Sequence, residues 1–170
     1  MNNILSVVYG YRFCRPGARG YTYLEDGKEI CATSELENPK SPIRISGISG
    51  ASWESDFNRD TTYFPGLRLY VVDTATSRRV VQLVFMSFSS YVIHCGADTI
   101  TSAENPFGFW YYQDEELIAS CSRNPKHAPY IEVFGERLPA YYEVRLRKKL
   151  SEQTKQALLA FPSLVRPPPR

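Results

Sequence analysis

Short runs of alternating apolar and polar residues fill most of the chain, and they predict strands. "IRISGI" (43–48) alternates with a period of two, the pattern of a strand with one buried face. "ILSVVYGYRF" (4–13) opens the chain with a β-rich run. "GYTYLEDGKEICATS" (20–34) reads as a hairpin with Asp26-Gly27 at its tip, since Asp-Gly between such runs supplies the left-handed backbone a tight turn needs. The loop "SELENPKSP" (34–42) follows. "SGASWESDFNRDTTYFPG" (49–66) is long and weakly patterned, an irregular excursion holding at most a short strand or a turn of helix.

"GLRLYVVDTATSRRVVQLVF" (66–85) is a second hairpin, turning through Asp73 to Ser77, and "SSYVIHC" (89–95) is a further strand. "GADTITSAENPFG" (96–108) reads as a connection. "FWYY" and "LIASCSR" form a third hairpin around Gln113 to Glu116, and "PYIEVFGERLPAYYEVRLR" (129–147) a fourth turning near Gly135. Only "SEQTKQALLAFPSLV" (151–165) reads as helix. Ser151 is a suitable N-cap, Glu152 favours the positive end, and Pro162 should stop it. "RPPPR" (166–170) predicts an extended tail after a single domain over residues 1–165.

The three consecutive acids Asp114, Glu115 and Glu116 invite a catalytic reading, because paired carboxylates do acid–base work when they face one another across a cleft. Their position argues otherwise. Asp114 stands where Asp26 and Asp73 stand, between two strands, and Asp favours turns by bonding nearby backbone N–H groups. The acids are expected to form a turn.

Composition narrows the function. The aromatic share is 14%, with 12 Tyr and 9 Phe, which suits pleated, half-buried surfaces. A net charge of +2 is too mild for a nucleic-acid partner. Cys14, Cys31, Cys95 and Cys121 form no metal-ligand spacing, and "MNNILSVVYGYRF" lacks the build of a secretory signal. Reduced, buried thiols in a cytoplasmic chain are expected, with no cofactor. "GISGAS" (47–52) lacks the lysine of a phosphate loop and reads as a turn or bulge. His94 and Cys95 are adjacent, so on a strand they face opposite ways, and His127 lies in a polar loop.

The basic residues are the remaining candidates. Arg145 and Arg147 share one strand face opposite Val144 and Leu146, and Lys148 and Lys149 extend the run. Arg78, Arg79, Arg123 and Lys126 stand at other hairpin ends. Such charges can hold an anionic headgroup where they converge. Dispersed, they form a solvated face that guards strand edges.

The hairpins "YTYLEDGKEICATS", "LRLYVVDTATSRRVVQLVF" and "FGFWYYQDEELIASCSR", followed by the apolar "ALLAFPSLV", resemble the tubby-like superfamily of tubby C-terminal, LURP-one-related and phospholipid scramblase domains. That resemblance implies a mainly β fold, an antiparallel meander of about 11–12 strands closed around a helix. Lys155 and Gln156 leave two places for the helix here, in the centre with its polar first turn at the mouth, or packed on the outside. The function expected is a non-enzymatic binding or interaction module for an anionic membrane surface, an apolar small ligand or a protein partner. The alternatives are an enzyme with an assembled His94, cysteine and carboxylate site, and a structural or regulatory domain.

Overall fold

A computed structural model describes residues 10–16, 21–25, 28–34, 42–47, 50–58, 61–87, 90–105, 108–123, 130–133, 136–139 and 142–165. The expected features at residues 4–9, Asp26-Gly27, the loop at 35–41, Lys126, His127, Gly135 and the tail at 166–170 lie outside the described residues. The elements in chain order begin with β1 (Gly10–Pro16), β2 (Tyr21–Glu25), β3 (Lys28–Ser34), β4 (Arg44–Ser46) and β5 (Ser52–Ser55). Next come β6 (Arg68–Asp73), β7 (Arg79–Ser87), β8 (Ser90–Cys95), β9 (Asp98–Asn105), β10 (Gly108–Gln113) and β11 (Glu116–Arg123). The chain finishes with β12 (Tyr130–Val133), β13 (Glu136–Pro139), β14 (Tyr142–Leu146) and the helix α1 (Glu152–Leu164).

The fold is mainly β with one C-terminal helix. Eleven strands form an antiparallel sheet in the order β2 through β11 and then β14. β1 carries ladders to both end strands, Phe13↔Leu24 to Pro16↔Tyr21 with β2 and Gly10↔Leu146 to Cys14↔Tyr142 with β14. β12 and β13 pair only with each other, as a separate two-stranded sheet. The expected fourth hairpin is therefore divided, because β14 leaves that pair to lie between β11 and β1.

Period-two alternation builds the core. On β8, Tyr91, Ile93 and Cys95 are buried, while Ser90, Val92 and His94 stand on the outer face. β9 corrects the reading of residues 96–108 as a connection. Its inner positions are Ile100 and Ser102, both 0% exposed. Ser102 lies in register between Tyr91 and Tyr111, whose inward rings occupy the volume a larger residue would need there. A strand with serine at an inner position loses half its apolar signal.

The helix is capped as expected, with the Ser151 side chain accepting from the Thr154 N–H. It also runs through Pro162 to Leu164, so the expected stop at Pro162 is corrected. Proline has no N–H to give the carbonyl four residues back, which belongs to Leu158. The buried Tyr111 hydroxyl donates to that carbonyl at 3.3 Å and replaces the missing bond. Without it a buried acceptor would stand alone in the core. Tyr111→Phe should cost about 1–2 kcal/mol in urea unfolding. In a Pro162→Ala background, where an amide is restored, the cost should largely disappear.

Gln156 through Phe161 are each at most 2% exposed. Six successive positions span more than one full turn, so every side of the helix is covered there. An apolar stripe alone would suffice for a helix lying on a sheet. Phe161 sits among three aromatic edges, Tyr91 at 5.4 Å, Phe109 at 5.1 Å and Tyr111 at 5.7 Å between ring centroids. The hydrophilic first turn, Ser151 to Gln153, is exposed.

Candidate functional site

The six basic candidates fall into two groups. Arg145 stands on the outer face of β14, with Val144 and Leu146 buried behind it, and Arg147 to Lys149 follow directly. Arg78 and Arg79 are exposed where β6 turns into β7, and the Arg79 guanidinium lies 3.8 Å from the Tyr70 ring centre. Between β14 and β7 the sheet interposes β11, β10, β9 and β8. At about 4.8 Å per strand step the two groups are some 24 Å apart along the sheet, too far to share one small anion.

Lys148 serves the fold. Its ammonium donates to Gln113 Oε1 at 2.7 Å, and Gln113 Nε2 donates to Asp98 Oδ1 at 3.1 Å. Thr154 Oγ1 donates to Asp98 Oδ2 at 2.6 Å. This chain of bonds ties the start of α1 to β9, β10 and the end of β14. A cleft of about 280 Å³ opens beside the same helix end, between Trp53, Asp73, Val80, Glu152 and Gln153. Its two carboxylates are engaged in holding their own segments. Asp73 Oδ1 accepts the Ala75 and Thr76 amides at 2.8 and 3.1 Å, and Glu152 pairs with Lys155 at 3.3 Å.

The acid cluster is a turn, as its sequence position indicates. Gln113 pairs with Glu116, and Asp114 and Glu115 have φ of 50° and 66°, so both central residues are left-handed. That geometry matches the right-handed twist of the flanking strands and usually carries Asn-Gly. The Asp73–Ser77 turn agrees too, with Ser77 at φ 60° and its N–H donating to the Asp73 carbonyl at 2.8 Å.

Cys31, Cys95 and Cys121 are free and buried, while His94 faces the other side of β8 and meets Thr99 Oγ1 at 3.3 Å. Burial pushes the Cys31 thiol up to about 12, with Glu29 adding to the rise. Burial likewise takes Cys95 to about 11, against a hydrogen bond with Thr154 and with help from Asp98. Cys121 is raised by burial alone. A nucleophilic thiol needs the opposite shift. Unfolded thiols ionise near 9.0, so above that pH the unfolded chain releases protons that the folded chain keeps. Stability from these thiols is intact below pH 9.0 and should fall above it by about 1.4 kcal/mol per unit for each thiol. Urea midpoints from about pH 8 to 11 test this, and Cys121→Ala should make the decline shallower.

One surface escaped the sequence reading. Beyond Arg79 at the start of β7, the outer positions of β7 to β11 carry no Asp, Glu, Lys or Arg among the described residues. Val84, Val92, Thr101, Tyr112 and Leu117 form one row in register across five strands. Ala103, Trp110 and Ser120 form the next, and Trp110 is 46% exposed between two small neighbours. Met86, 50% exposed, lies at the β7 edge. Elsewhere on the sheet the outer face does carry charge, with Arg44 and Glu54 paired at 3.8 Å across β4 and β5. The signal was present as an absence. No Lys or Arg occurs between Arg79 and Arg123, although 20 in 170 would place about five there.

Among the described residues no three His, Cys, Asp or Glu are grouped to hold a metal ion, and no helix is long and apolar enough to cross a membrane. No family model, curated protein or solved structure matches this chain.

Proposed function

We propose that this chain is a tubby-like domain, a closed twelve-stranded barrel around α1, and that it works as a non-catalytic interaction module. The two ladders of β1 support closure, since a strand paired to both ends of a sheet leaves no edge. The complete burial of Gln156 to Phe161 supports a threaded helix, and the exposed Ser151–Gln153 turn then lies at the mouth. A barrel filled by its own helix offers its outer wall to partners.

The observation that carries the functional reading is the wall of β7 to β11, uncharged beyond Arg79, with Trp110 and Met86 exposed on it. Depletion of charge with enrichment of Trp, Tyr and Met is the composition of an interface core. An anionic lipid surface is the weaker reading, because the basic residues form two distant groups. A photoreactive side chain in place of Trp110 should crosslink to a protein in cell extract, and the same group in place of Arg44 should not. Absence of any adduct at position 110 would sink the module.

A further inference from the structure

The uncharged wall is bordered by two turns of opposite sign. At the β6–β7 end stand Arg78 and Arg79, and at the β10–β11 end stand Asp114, Glu115 and Glu116, all exposed. The Gly96-Ala97 turn between β8 and β9 lies midway between them, because each successive hairpin advances two strands along the same sheet. The three turns share one end of the sheet, since every hairpin runs up one strand and down the next. Basic turn, neutral centre and acidic turn are thus spaced evenly, about 10 Å apart.

This arrangement is complementary to itself. A two-fold axis parallel to the strands, passing between β8 and β9 in the plane of contact, would lay the β6–β7 side of one copy over the β10–β11 side of the other. Arg78 and Arg79 of each copy then meet Asp114, Glu115 and Glu116 of its mate, twice over. The neutral rows meet across the axis, where a charge would face its own copy. Isologous contact requires such self-complementarity.

Resting on the interaction-module reading, we infer that the partner is a second copy of this chain, docked through the outer face of β6 to β11 with the Arg78–Arg79 and Asp114–Glu116 turns paired across the two-fold. Thr99, Thr101, Gln82 and His94 on that face suit another protein better than lipid tails, which cannot bond to them. Six strands at about 4.8 Å and three outer positions at about 7 Å give a footprint of roughly 29 by 20 Å. That is about 580 Å² in projection, below the roughly 800 Å² each partner gives a standard interface. A weak dimer follows, with dissociation in the micromolar range and with the four turns contributing rim electrostatics.

Sedimentation equilibrium of the full chain tests it. Between about 10 and 500 µM the mass should climb from 19.4 kDa toward twice that value. Trp110→Glu should stay at the monomer mass with its melting temperature nearly unchanged, because Trp110 is 46% exposed. Arg78→Glu with Arg79→Glu should weaken association at least tenfold, as should Glu115→Lys with Glu116→Lys, and mixing the two proteins should restore it. Dimers that ignore these substitutions, or fail to be rescued by the mixture, would overturn the assignment. A monomer at every concentration would also overturn it. In that case an adduct at position 110 to a different protein would leave the interaction module standing, and no adduct would remove both.

Discussion

Leu159→Asp should leave the chain unfolded at room temperature. Leu159 is 0% exposed, with Leu158 and Ala160 equally buried on either side. A carboxylate there has no water and no cationic partner among the described neighbours, and burying it costs several kcal/mol even if it takes up a proton. A domain of this size has about 5–15 kcal/mol in total. Circular dichroism should show loss of strand signal and cooperative melting. Melting within a few degrees of the parent chain would mean that the helix is not core, and the barrel proposal would fall with it.

Phe161→Ala should be the next most damaging change, at about 3–5 kcal/mol. Three rings, those of Tyr91, Phe109 and Tyr111, stand edge-on to Phe161, so truncation removes their shared partner as well as the buried ring. Phe161→Leu keeps most of the volume and should cost markedly less. Urea unfolding of both variants measures the difference. Equal losses would show that the ring contacts, and not the volume filled, carry the stability at this position.

What the sequence made legible was local. The turns at Asp73–Ser77 and Gln113–Glu116 were readable because Asp favours turns, as Asp73 does by bonding its own backbone, and the flanking strands alternate. Ser151 was readable as a cap for the same reason, one side chain satisfying a nearby amide. What depends on distant neighbours was not readable. β9 looked like a connection because Tyr91 and Tyr111 fill the space beside Ser102. Pro162 looked like a stop because the hydroxyl that relieves it comes from residue 111, on another element. β12 and β13 are short runs, Tyr130–Val133 and Glu136–Pro139, and nothing local says which pairs they join. For the site, spacing correctly put Arg145 and Arg147 on one side of a strand. It could not show that Arg78 and Arg79 lie four intervening strands away. The neutral wall needed the register itself, since each strand contributes only two or three of its positions.

The position of α1 after all fourteen strands also constrains how the protein is made. At about 5–20 residues per second, β14 leaves the ribosome about 1–4 seconds ahead of the complete helix and β8 about 3–14 seconds ahead. Throughout that interval their inner faces have no filling, and Tyr91, Phe109 and Tyr111 lack the ring they surround. A nascent chain halted before residue 151 would be a client for chaperones, because it would carry an apolar surface with nothing to close it.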